Sequence, residues 1–189
     1  MIPTLDSKDM DFQYELKVFS TRKIEITNLY NDNCCALVGE WNNLNAGGSH
    51  LDKDINGKDD DAYLNWMSNP KFLLQFDSKD WIVNLKFEVI ISRSESIWKR
   101  RLSQSMINAM MSCYIFKFER EKWKENCVNM NDIDFMPKND VHIFHSDARA
   151  DPKGYILQPC TYGKGVYGPF TILVKCDKKF TLTPFNENK

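Results

Sequence analysis

WIVNLKFEVII, residues 81–91, alternates in character along its whole length. Trp81, Val83, Leu85, Phe87, Val89 and Ile91 fall on one side of an extended chain, with Asn84, Lys86 and Glu88 on the other. Side chains of a β-strand point alternately to its two faces, so a period of two marks a strand with one face against a core. The same short pattern returns at KIEIT (23–27), CCALVGEW (34–41), KFLLQF (71–76), SCYIFKF (112–118), VHIFHS (141–146), GYILQPC (154–160) and PFTILVK (169–175). Clusters of Gly, Asn, Asp and Pro lie between them, such as NAGG, SNP, NDIDFMPKND, DARADPKG and YGKGVYGP. Eight short strands, turn residues between them and little sustained helix predict an all-β fold, an antiparallel sandwich or barrel. The segment 94–111 stays open between a short helix and a loop, and the first twenty or so residues fit a helical lead-in.

The composition is that of a globular chain. Hydrophobic residues make up 42% of the 189 and aromatics 13%, enough to bury one proper core. The formal charge of −1 gives no bulk attraction to nucleic acid, so a charged partner must read a local patch. No apolar run reaches the length of a membrane helix, and the acidic opening MIPTLDSKDMDF is unlike a signal peptide. Of six cysteines, Cys34 and Cys35 are adjacent, which suits free thiols better than a disulfide framework. Cys113, Cys160 and Cys176 sit inside apolar strand-like runs, and Cys127 lies in a more polar stretch. That usage fits a reducing, intracellular and cytoplasmic setting.

Two charged stretches are candidates for binding. LDKDINGKDDDAY, residues 51–63, begins like a calcium loop: Asp52, Asp54 and Asn56 offer oxygens at alternate positions and Gly57 allows a sharp turn. The twelfth position is Tyr63 rather than a bidentate Glu, so the EF-hand pattern is broken. Asp59, Asp60 and Asp61 extend the oxygen supply, and the segment reads either as a looser calcium or charge-contact loop or as a solvated acidic one. The second stretch is WKRR, where Lys99, Arg100 and Arg101 follow an aromatic residue. It suits acidic lipid headgroups or a carboxylate-rich protein surface, or serves as an ordinary solvated turn.

Catalytic machinery is not evident. Nucleophilic catalysis needs a Ser or Cys beside a base, and the chain has only His50, His142 and His145. His142 and His145 stand three apart in a strand, hence on opposite faces, and cannot converge on zinc. His50 reads as a turn residue. The sequence has no C-x-x-C, P-loop or dinucleotide fingerprint. The residues therefore point to a binding or structural module.

Several stretches, taken in order, resemble the calpain family of cysteine proteases. FSTRKIEITNLYND (19–32) is similar to the segment that closes the calpain protease core, and ALVGEWNNLNAGG (36–48) to the G-x-W and AGG that open the following domain. SNPKFLLQF (68–76) resembles the family's N-P-Q-aromatic strand, and the strand at 81–91 with WKRR resembles the apolar strand and basic run that come next. GYILQPCTYGKGVYGPFTILVK (154–175) looks like the closing hairpin. The resemblance spans roughly residues 19–176 and implies the calpain domain III sandwich, C2-like in topology. It divides the chain into 1–28, the tail of an upstream protease core or linker; 29–176, the sandwich; and 177–189, a C-terminal tail without an EF-hand pattern. It further implies a non-catalytic regulatory domain that docks on a calpain-like protease core and binds calcium or acidic phospholipid. The family's catalytic Cys, His and Asn fall upstream of the matching region. The alternative is a purely structural or protein-interaction scaffold with neither ligand.

Overall fold

A computed structural model describes residues 33–52, 59–93, 108–119 and 122–186, excepting the side chains of 59–62 and 123. The strand expected at 23–27, the domain assigned to 1–28 and most of the open segment 94–111 lie outside those residues. Eight strands are described: β1 (Cys34–Trp41), β2 (Phe72–Phe76), β3 (Ile82–Ser92), β4 (Met111–Lys117), β5 (Asp140–Ala150), β6 (Tyr155–Thr161), β7 (Gly168–Cys176) and β8 (Phe180–Pro184). A helix α1 (Asp59–Met67) precedes β2, and a 3-10 turn (Trp123–Glu125) follows β4.

The strands form two four-stranded sheets, ordered β1-β7-β3-β5 and β4-β6-β2-β8, with every pairing antiparallel. The expected antiparallel β-sandwich is what the chain adopts. Its main core lies between the sheets: Leu85, Phe87, Val89, Ile91, Ile172 and Val174 from one meet Phe72, Leu74, Met111, Ile115, Leu157 and Leu182 from the other. Trp41, fully buried on β1, stacks at 4.1 Å on Phe170. Its indole N–H donates to the Pro159 carbonyl of the facing sheet at 3.2 Å. Gly39 stands opposite Phe170 in the register, and the aromatic ring lies where a Cβ at Gly39 would be, 2.3 Å away.

The second sheet is covered on both faces. Every residue of β6, and all of β4 except Lys117, is buried. Trp66 and Met67 of α1 pack with Tyr114, Phe116, Ile156 and Cys160 on its outer side, beside partly buried Met130, Ile133 and Phe135. The polar end of this helix is closed internally. The Trp66 carbonyl accepts from Asn69 Nδ2 (2.8 Å) and Gln158 Nε2 (3.1 Å), and the buried Lys71 ammonium donates to the Met67 and Asn69 carbonyls. A cation is favourable at a helix C-terminus, where carbonyls lack intrahelical partners.

Four expectations change. In β3 the core face holds Leu85, Phe87, Val89 and Ile91, but Trp81 and Val83 are 52% and 65% exposed while Ile82 is buried. Asn84 takes φ = 53°, a left-handed conformation that Asn tolerates better than most residues, and this reverses the facing of the strand's first residues. The tail expected from 177 contributes β8, whose Phe180 and Leu182 enter the core beside β2. The 154–175 pair is not a hairpin, because β6 belongs to one sheet and β7 to the other. Finally, Asp59–Met67 is helical where a loop was expected.

Candidate functional site

Asp52 is 9% exposed and its carboxylate is engaged: Oδ2 accepts from the Lys164 backbone N–H at 2.8 Å. That bond, with Ser49 N–H to the Tyr162 carbonyl at 3.0 Å, ties the loop after β1 to the β6–β7 connection. Asp54 and Asn56 lie outside the described residues. Asp59, Asp60 and Asp61 form the first turn of α1, the helix end at which negative charge is favoured. Lys99, Arg100 and Arg101 also lie outside the described residues. Among the described residues no three His, Cys, Asp or Glu side chains stand close enough to hold a metal ion. Of the proposed calcium ligands, then, the one whose side chain is described serves as a structural acceptor.

The histidines separate as their spacing predicts. His142 faces outward, its Nδ1 2.7 Å from Glu88 Oε1. Lys175 Nζ lies 3.3 Å from the other Glu88 oxygen. Burial acts to raise the Glu88 pKa, but the bonds to His142 and Lys175 outweigh it and hold the carboxyl below its ordinary range. Glu88 and Lys175 line an open groove of about 490 Å³, together with Lys86, Phe144, Ser146 and Asp177.

His145 faces the other way, packed on Phe87 (5.0 Å) and Tyr155 (5.2 Å) where β5 meets the second sheet. Beside it Asp147 Oδ2 takes Lys117 Nζ of β4 at 2.8 Å and the Tyr155 hydroxyl of β6 at 2.9 Å, a polar clasp between the sheets. Burial alone would raise the Asp147 pKa; the bonds from Lys117, the Arg149 amide and Tyr155 bring it below the usual value. His50 is more than a turn residue. Its Nδ1 lies 2.6 Å from the Tyr114 hydroxyl, and its ring rests 5.5 Å from that of Trp66.

Burial lowers the pKa of both His50 and His145. A histidine whose folded pKa is depressed contributes stability at pH above its unfolded value, near 6.5, and that contribution disappears as pH falls through the folded value. The thermal midpoint is therefore expected to drop on going from pH 7.5 to pH 5, and His145→Gln should flatten that slope. A profile of equal slope in the variant would remove His145 as a source. Asp147 and Glu88 act in the same sense, but their contribution is lost only below about pH 4.

All six cysteines are free thiols. Burial raises the pKa of Cys34, Cys35, Cys113, Cys127 and Cys160, and pushes Cys176 up to about 11. That is the direction opposite to activation of a thiol nucleophile.

No protein-family model matches this chain. It is similar to the serine/threonine-protein kinase 4 homolog B of Dictyostelium discoideum, 24% identical over 183 residues. The match covers 92% of this chain and 14% of that kinase homolog, so the chain spans about one seventh of the relative's length. No helix among the described residues is long and apolar enough to cross a membrane.

Proposed function

We propose that this chain is a non-catalytic regulatory β-sandwich of the calpain domain III type, C2-like in topology, which docks on the core of a calpain-like cysteine protease. The observation that carries the reading is the sandwich itself, its β1, β2, β3, β6 and β7 coinciding with the stretches that resemble the calpain domain in order. The pushed-up thiols favour a binding role over catalysis in these residues. Free cysteines accord with a reducing intracellular setting. Calcium is assigned to Asp54, Asn56, Asp59, Asp60 and Asp61, since Asp52 is already committed to Lys164, and acidic phospholipid to Lys99, Arg100 and Arg101.

The chain matches only 14% of a much longer relative, which suits a second reading, a purely structural or protein-interaction scaffold with no calcium or lipid role. Calcium separates the two. A ligand that binds only the folded state at about a hundred times its Kd adds roughly 2.7 kcal/mol of stability. Millimolar calcium should raise the thermal midpoint of the wild type but not of Asp54→Ala/Asp59→Ala, and anionic vesicles should sediment the chain less as salt rises. A midpoint indifferent to calcium together with no vesicle binding selects the scaffold.

A further inference from the structure

The four edge strands of this sandwich are not treated alike. An edge strand presents a row of unpaired N–H and C=O groups, and proteins usually cover or shorten such a row. The edge of β4 is covered: Val128 N–H donates to the Ile115 carbonyl (2.8 Å), Lys117 N–H to the Asn126 carbonyl (3.0 Å), and Met111 and Met136 exchange two bonds of 3.1 Å. Asn129 adds its side chain to Ile115 N–H and the Cys113 carbonyl, each at 2.9 Å. At the opposite edge β8 is five residues long and ends in Pro184. On the first sheet β1 runs eight residues and packs beside β8. β5 runs eleven, and beyond its ladder with β3 it makes no backbone hydrogen bond to another described strand.

Three of its side chains, Phe144, Arg149 and Asp140, enter no hydrogen bond or ion pair with a described residue. Phe144 is 76% exposed on the outer face, opposite Glu88. Arg149 is laid over the exposed Trp81 ring at 4.8 Å and forms no ion pair with a described acid. Asp140, at the other end of the strand, is exposed and likewise unpaired among the described residues.

We propose that β5 is a self-association edge, on which a second copy of this chain adds its own β5 antiparallel about a two-fold axis at Phe144. A two-fold pairing must bring residues of the same face opposite each other. Centring on Phe144 sets the two exposed rings side by side and places His142 opposite Ser146. The same alignment sets Asp140 beside Ala148 and Arg149 of the partner strand. The strand reverses its facing here, across from Asn84, which returns Arg149 to the outer face next to that acid. Each end thus gains an opposite-charge pair of the kind that stabilises cross-strand neighbours, and the first sheets of the two copies join into one of eight strands. Charges that would deter an arbitrary strand become complementary in this register. The inference is independent of which enzyme the module serves.

Sedimentation of the full chain from micromolar to submillimolar concentration tests it. The wild type is expected to pass from monomer to dimer. Phe144→Lys sets two cations together on the axis, and Arg149→Asp sets two acids together, so each should leave a monomer whose thermal midpoint matches that of the wild type at monomeric dilution. The exchange Asp140→Arg/Arg149→Asp should restore the dimer. A wild type that stays monomeric throughout, a Phe144→Lys dimer as strong as wild type, or an exchange that fails to restore pairing overturns the proposal.

Discussion

Trp41→Ala is expected to cost about 3–5 kcal/mol, the range for truncating a buried Phe or Trp in a core that cannot collapse around the gap. Trp41 has no exposed surface, stacks on Phe170 at 4.1 Å, and donates across the core to the Pro159 carbonyl. Its removal thus opens a void between the sheets and leaves a buried acceptor unpaired, each a recognised route to a large loss. For a chain of this size every kcal/mol is worth roughly 2–4 °C, so the midpoint should fall by about 6–20 °C. Trp41→Phe keeps an aromatic ring against Phe170 and loses the N–H, and it should fall between the two. Circular dichroism melts of the three proteins decide the matter. A loss below about 1 kcal/mol for the alanine variant would mean that the sheets are held together elsewhere.

The alternation that led to β3 also led to β2, β4, β6 and β7, because a buried sheet face requires apolar side chains two apart and little else produces that pattern. What escaped detection had other causes. β8 reads FTLTP, with only Phe180 and Leu182 to alternate; it is a strand because β2 offers it an edge to bond, a tertiary cause invisible in five residues. The helix α1 spans nine residues, too few for a 3.6-residue period to declare itself, although three acids at its start are the usual mark of a helix N-terminus. Its Trp66 is buried because the outer face of β4 and β6 presents Tyr114, Phe116, Ile156 and Cys160 to it. The facing reversal at Asn84 had one weak sign, an Asn in mid-strand, the non-glycine type best suited to a left-handed turn.

The candidate site was less legible than the fold. The D-x-D-x-N-G spacing makes Asp52 a calcium candidate, while its bond from the Lys164 amide depends on the connection between the sheets, which no local spacing encodes. The clasp of Lys117, Asp147 and Tyr155 joins three strands of both sheets, and no local spacing encodes it. His50 gains its importance only when Tyr114 and Trp66 close around it. Local patterns therefore specify which residues leave water, and long-range topology decides which polar groups then meet.

Gly154→Ala is the second large effect, and it is set by the backbone. Gly154 closes the turn between β5 and β6 with φ = 94°, its N–H donating to the Asp151 carbonyl at 3.0 Å. A Cβ there would stand 1.8 Å from the Leu74 carbonyl oxygen and 3.1 Å from the Cα of Gln75, both backbone atoms of β2. Neither can rotate away as a side chain would, so accommodation requires moving a core strand. Left-handed strain for a residue with a Cβ costs roughly 1–2 kcal/mol, and overpacking typically adds 1–3. The expected loss is about 2–5 kcal/mol, seen as a lower urea midpoint at unchanged slope. Gly165→Ala isolates the first component. Its φ is 77°, but its nearest neighbour, the Tyr167 hydroxyl, is 3.9 Å away, so it should lose only the roughly 1–2 kcal/mol of backbone strain. Equal losses in the two variants would show that the approach to β2 contributes nothing. A Gly154 loss well beyond that of Gly165 would establish that this turn is held against β2 by the absence of a single carbon.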